Sequence, residues 1–153
     1  MCIRDRGDFD KAAIHRTDLP NSQLYEKMTS GKYLAEIIQE ALCVALKEGY
    51  IESAVGAFDL KDVSQFLTED DGAIYHMLSE KDREFAREVC RQLIKRAAKL
   101  GAITNAATAS VTCTDKSLPV AVVAEGTTFN RLVGYRSWFE KYLGEYLSHF
   151  GIT

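Results

Sequence analysis

The run Leu118-Pro119-Val120-Ala121-Val122-Val123-Ala124 constrains this chain more than any other segment. It is short, apolar and rich in valine, the pattern of a strand buried on both faces. Every other periodic segment reads as helix. One strand cannot satisfy its own backbone donors and acceptors, so it needs neighbours. Either further strands lie around Ala109 to Thr114, or the rest of the sheet lies outside this chain. The expected class is therefore α/β, helix-rich, with a sheet that is mostly missing.

The helices are legible from their periods and stops. Pro20 marks a turn, and Asn21 or Ser22 is the expected N-cap of the first clear helix. Apolar residues then recur at Leu24, Met28, Leu34, Ile37, Ile38, Ala41, Leu42, Ala45 and Leu46, up to a glycine stop at Gly49. Ser30-Gly31 interrupts this pattern and predicts either a kink or a break between two helices. A short helix is expected over Leu60–Leu67, followed by the acidic turn Glu69-Asp70-Asp71-Gly72. A strongly amphipathic helix is expected over Glu80–Leu100, with Gly101 stopping or bending it. The last helix is expected over Trp138–Phe150. Glu125-Gly126-Thr127-Thr128 reads as the turn that ends the strand.

Composition excludes more than it assigns. With 153 residues, 46% apolar and 27% charged, the chain reads as one globular domain or a large piece of one. Nineteen basic against 22 acidic residues, net charge -3, gives no electrostatic case for nucleic acid or an anionic membrane. No apolar run is long enough for a membrane span, and Met1–Arg6 lacks the apolar stretch of a signal peptide. Cys2, Cys43, Cys90 and Cys113 form no C-x-x-C pair, and Cys43 and Cys90 sit in helical patterns as small apolar groups. A reducing cytoplasm is the expected compartment. His15, His76 and His149 share no metal-ligand spacing, so no metal site is expected. Trp138, Tyr142 and Tyr146, four residues apart, read as core or interface packing rather than a ligand box.

Four segments in order are similar to the patterns of one known family. Gln23-Leu24-Tyr25-Glu26-Lys27-Met28-Thr29-Ser30-Gly31-Lys32-Tyr33-Leu34-Ala35-Glu36 is similar to the family pattern Q-x-F-E-K-M-x-S-G-x-Y-L-G-E. Asp8-Phe9-Asp10-Lys11 and Pro20 match upstream in the same register. Phe58-Asp59-Leu60-Lys61-Asp62-Val63-Ser64-Gln65 resembles F-E-T-K-x-L-S-Q, with Leu60 in place of the threonine. Val89-Cys90 and Arg96-Ala97-Ala98-Lys99-Leu100 resemble V-C-x(5)-R-S-A-x-L. Val122-Val123-Ala124-Glu125-Gly126-Thr127-Thr128-Phe129 resembles the adenosine segment V-G-V-D-G-T-x-Y, with Glu125 in place of the aspartate.

These segments resemble the hexokinase family of sugar kinases, and the resemblance implies an actin-like, ribonuclease-H-like α/β fold. Residues 8–153 are expected to be part of the large domain, truncated at both ends, and residues 1–7 an unmatched, foreign edge. The family's phosphate loop D-x-G-G-T-N, its catalytic aspartate segment and its G-S-G-K-G-A loop have no counterpart in this sequence. The chain alone is therefore expected to be inactive. The implied parent is an ATP-dependent hexokinase phosphorylating a hexose, glucose above others, at its 6-hydroxyl. The partners are then the sugar and ATP with Mg²⁺. The rival is a non-catalytic, hexokinase-like sugar sensor or regulatory binder.

Sugar hydroxyls need carboxylate and carboxamide partners, and ATP needs donors around its phosphates and a pocket that excludes water. The resemblance assigns Gln23 and Glu26 to the sugar. It assigns Gly31, Lys61, Ser64, Gly126 and Thr127 to the nucleotide, the glycines by close backbone approach and Thr127 by its hydroxyl. The residues by themselves leave plainer roles open. Gln23 and Glu26 suit any first helical turn, Gly31 suits a helix joint, and Lys61 suits a solvated surface.

Overall fold

The computed structural model describes residues 7–17, 20–115 and 118–152. The edge Met1–Arg6, with Cys2, and the turn residues Asp18 and Leu19 lie outside the described residues. The chain forms two compact units, Met1–Leu93 and Ile94–Thr153. Neither unit contains a strand among the described residues.

In the first unit, α1 (Asp8–His15) begins where the Gly7 amide donates to the buried carboxylate of Asp10 at 2.8 Å. Next come α2 (Leu24–Thr29) and α3 (Gly31–Lys47). Ser30 separates them in an extended conformation, so the interruption at Ser30-Gly31 is a break and not a kink. The N-cap of α2 is Gln23, not Asn21 or Ser22. Gln23 has a left-handed backbone (φ 51°), and the helix starts after it, one or two residues later than the small polar pair suggests. Leu34, Ile37, Ile38, Ala41, Leu42 and Ala45 form the buried face of α3, the spacing expected of a helix with one face in a core. Gly49 ends it with φ 78°: its amide donates to Leu46 O at 3.1 Å and that of Tyr50 to Ala45 O at 2.8 Å. These are the paired bonds of a Schellman motif, which needs a left-handed residue at that position.

The short helix is α4 (Leu60–Thr68), capped by Asp59, and the acidic turn leads into α5 (Ala73–Met77). Val63 and Phe66 from α4 and Ile74 from α5 are fully buried in the core of this unit.

The long helix, α6 (Glu80–Thr112), runs past the expected stop at Leu100. Gly101 lies within it. A Cβ there would sit 3.1 Å from the Tyr135 hydroxyl and 3.4 Å from the Phe139 ring, so the glycine serves close packing and does not end the helix. Of the two alternatives for the rest of the sheet, strands around Ala109 to Thr114 are not seen among the described residues, since Ala109 to Thr112 belong to α6. Threonines along this part of α6 bond back along the helix. Thr104, Thr108 and Thr112 donate to the carbonyls of Leu100, Thr104 and Thr108 at 3.3, 2.9 and 2.9 Å. Ala102, Ala106 and Ala109 keep the buried face periodic.

Residues 118–124 take no regular secondary structure, and Leu118 and Val123 are 60% and 82% exposed. The buried strand expected here does not form among the described residues, which are helix-rich, so they supply no part of the sheet in the α/β reading. A strand forms only against a neighbour that completes its hydrogen bonds, and none is offered among the described residues. Gly126 (φ 119°) likewise does not end a strand. It is the N-cap of α7 (Thr127–Arg131), which leads through Gly134 into α8 (Tyr135–His149). Phe129 meets Phe139 and Tyr135 edge-on, at 5.3 and 6.4 Å between ring centres. Trp138, Tyr142 and Tyr146 stack in sequence along α8, at 5.9 and 6.4 Å. The ammonium groups of Lys95 and Lys99 lie 4.6 and 5.4 Å from the Trp138 and Tyr142 ring centres. The stripe is half-buried packing on this unit's own surface.

Candidate functional site

The expected sugar residues both lie at the start of α2. A cavity of about 470 Å³ opens there, between the end of α1, the turn into α2 and the first turns of α3. Gln23 lines it, together with Thr17, Lys27 and Tyr33. Glu26 does not: it is exposed on α2, one turn beyond Gln23. The two sequence candidates thus lie three residues apart on one helix start, but only one faces the cavity.

Lys27 was not singled out from the sequence. Its side chain is only 2% exposed, next to the buried Met28. Its ammonium donates to Thr17 Oγ1 at 2.8 Å and lies 5.8 Å from the Tyr33 ring centre. The signal was available as a lysine beside an apolar position of a very short helix, where burial is not expected without partners.

The nucleotide candidates are spread more widely. Gly31 is the first residue of α3, half-buried and adjacent to Lys32 and Tyr33, which line the cavity. Lys61 and Ser64 lie on α4 and do not line it. Lys61 is exposed, with its amide bonded to the Asp59 cap at 2.7 Å, and Ser64 is half-buried, its carbonyl accepting from Thr68 Oγ1 at 2.8 Å. Gly126 and Thr127 are exposed in the second unit, where a Cβ at Gly126 would meet no atom within 4 Å. That open space suits close approach by a ligand, while the positive φ makes other residues strained there.

The titratable groups with displaced pKa values lie elsewhere. The Ser53 hydroxyl holds the Asp82 carboxyl below its usual value, with help from the Ser79 hydroxyl and the backbone of Ser53 and Glu52. The amide of Gly72, and then His76, do the same for Asp71. The Glu52 carboxylate beside Lys81 raises that lysine. Burial pushes the Cys90 thiol up to about 12, so Cys90 is an inert core group. Among the described residues, no three histidine, cysteine, aspartate or glutamate side chains are grouped to hold a metal ion. Among them, too, no helix is long and apolar enough to cross a membrane.

Comparisons with known proteins converge. The hexokinase family pattern matches residues 3–151. A hexokinase of Kluyveromyces lactis is 29% identical over 152 residues, covering 88% of this chain and 31% of the yeast protein. The solved structure of a hexokinase from Schistosoma mansoni complexed with glucose superposes with a TM-score of 0.72 at 20% identity, over 92% of this chain and 35% of that one. The chain thus spans about a third of the length of these relatives and shares the hexokinase fold over that portion. It belongs to the hexokinase family.

Proposed function

We propose that this chain is part of an ATP-dependent hexokinase, a cytoplasmic enzyme that phosphorylates glucose at its 6-hydroxyl with ATP and Mg²⁺ as donor complex. Residues 8–153 are part of its large domain, whose actin-like α/β sheet is completed by other segments of the parent protein. In this reading the carboxylate of Glu26 accepts hydrogen bonds from sugar hydroxyls, and the Gln23 carboxamide both donates and accepts. Gly31, Lys61 and Ser64 serve the nucleotide side, and Gly126 and Thr127 the adenosine. None of these groups is the general base. No segment of this sequence resembles the family's catalytic aspartate region or phosphate loop, so the chain alone does not phosphorylate sugar.

The observation that carries the sugar assignment is the left-handed backbone of Gln23, a non-glycine residue with φ 51° at a helix start beside a 470 Å³ cavity. Such backbone costs free energy, and residues held in it concentrate at binding sites. The test is hexose-dependent ADP release by the full-length gene product, with ³¹P NMR of the product to locate the ester. Release confined to hexoses, with the phosphate on the 6-oxygen, is expected. Glucose binding without any ADP release would replace the kinase by a sugar-sensing protein.

A further inference from the structure

We propose that a groove bordered by α1, α3 and α6 binds a small ligand with an apolar body and a cationic end, the chemistry of a protonated alkyl- or arylamine. The groove lies within the first unit and has a volume of about 330 Å³, inside the roughly 300 to 1,000 Å³ of small-molecule sites. Ala41, Val44 and Ala45 of α3 and Val89 of α6 give it an aliphatic lining. Phe9 of α1, Tyr50 beyond Gly49 and Phe85 of α6 add three aromatic rings. These three are 37%, 64% and 38% exposed, and they are the exposed large apolar side chains of this unit's described residues. Exposed apolar groups scattered singly need no explanation, whereas all of a unit's gathered in one groove mark a binding surface. The Tyr50 and Phe85 rings stack 5.7 Å apart and 4° from parallel, so this wall is set before a ligand arrives.

The polar groups of the lining decide the charge of the ligand. Two carboxylates, Glu48 and Glu88, line the groove, and no lysine, arginine or histidine does. Gln92 Nε2 donates to Glu88 Oε1 at 2.6 Å and so orients that carboxylate. Arg91 approaches the other oxygen of Glu88 only to 3.9 Å, and Lys47 sits beside Glu48 in sequence, but neither lines the groove. A ligand whose body fills the apolar lining holds its end group beside these carboxylates in partly reduced water, where opposite charges attract more strongly than in bulk. The faces of Tyr50 and Phe85 favour a cation as well. An anionic head, whether of a fatty acid or a phospholipid, meets like charge. A second copy laid groove to groove would oppose four carboxylates, so self-association is disfavoured for the same reason. None of the residues assigned to sugar or nucleotide lines this groove, so it stands or falls independently of the kinase reading.

The test is isothermal titration calorimetry of the full-length gene product with octylamine, octanol and octanoate, each below its micelle-forming concentration. One alkyl body with three head groups separates the apolar contribution from the ionic one. Octylamine is expected to bind at one saturable site, about three- to tenfold tighter than octanol, with octanoate weakest. Heptylamine should bind about fourfold more weakly than octylamine, the loss of one buried methylene. Glu48→Gln combined with Glu88→Gln, both at exposed positions, should erase the preference for the amine and leave octanol unchanged. Val89→Trp fills the groove and should abolish binding of all three ligands. The double substitution carries the test alone if Val89→Trp does not fold. Equal affinity for octylamine and octanol, a preference that survives the double substitution, or no saturable binding of octylamine would each overturn the proposal. So would a dimer, seen by sedimentation, that octylamine dissociates, because the groove would then belong to a second copy.

Discussion

Ser53 Oγ donates to Asp82 Oδ2 at 2.6 Å, and the same oxygen accepts from the backbone amides of Ser53 and Glu52 at 2.9 and 3.2 Å. The hydroxyl also accepts from the Ser79 amide at 2.8 Å, and Ser79 Oγ accepts from the Asp82 amide at 3.3 Å. The start of α6 is thereby tied to the segment that follows α3, and Ile51 is held in the core.

Asp82→Asn should lower the melting temperature at neutral pH, because a neutral amide replaces an anionic acceptor of three bonds. Asp82 is depressed in the folded chain relative to its usual value. Its contribution is therefore present above the ordinary aspartate range and is lost as pH falls through the depressed folded value. The gap in melting temperature between wild type and variant should be widest at neutral pH and should close in acid. A gap that stays constant down to acid pH would remove the ionised carboxylate as its cause.

Asp59 heads α4 by accepting from the amides of Lys61 at 2.7 Å and Asp62 at 3.0 Å, and Asp62 returns a bond to the Asp59 amide at 2.9 Å. Asp59→Ala removes one side of this capping box. Loss of such a cap costs about 0.5 to 2 kcal/mol, and urea unfolding at neutral pH should read that amount. The adjacent Lys61→Ala, an exposed side chain, should stay within about 0.5 kcal/mol of wild type.

How far the sequence carried depended on whether an element could be completed locally. The buried face of α3 and the stop at Gly49 follow from rules that act over a single turn, and each was readable. The Leu118–Ala124 run was not, because a strand is a relation between segments, and composition names only one of the parties. The continuation of α6 past Leu100 was not legible for a related reason, since the bonds of Thr104, Thr108 and Thr112 back to helix carbonyls are not visible in the sequence. Gly101 looked like punctuation until Tyr135 and Phe139 were seen against it. At the candidate site, Gln23 and Glu26 were legible through the resemblance. Lys27 was not, because burial of a lysine is set by Thr17 and Tyr33, which arrive from other elements.

The close approach at Gly101 gives a paired prediction. Gly101→Val introduces atoms where a Cβ alone would lie 3.1 Å from the buried Tyr135 hydroxyl and 3.4 Å from Phe139. Overpacking of this kind costs about 1 to 3 kcal/mol. Gly144 also lies within a helix, α8, but a Cβ there meets nothing within 4 Å. Gly144→Ala should stabilise by up to about 1 kcal/mol, from helix propensity and reduced unfolded-state freedom. Denaturation curves in which both substitutions move stability in the same direction would contradict the packing assigned to Gly101.

The sugar assignment is tested most directly at Glu26, in the full-length gene product. Glu26 is exposed on α2 and its carbonyl already accepts the Ser30 amide at 2.7 Å, so its backbone role survives a side-chain change. Glu26→Gln keeps the shape of the side chain and replaces an anionic acceptor by an amide that is half donor. Hydrogen bonds to charged groups contribute about 1.5 to 3 kcal/mol, so kcat/KM for glucose should fall about tenfold or more. The KM for ATP should move much less, since in the proposed arrangement the nucleotide meets Gly31 and Gly126. Thermal stability should also change little, because a glutamate in a first helical turn contributes only about 0.3 to 1 kcal/mol through the helix dipole. A purely structural Glu26 predicts the reverse pattern, a small stability loss with sugar kinetics unaltered. Sugar kcat/KM within about twofold of wild type, far short of the loss expected for a charged hydrogen bond, would remove Glu26 from the sugar site.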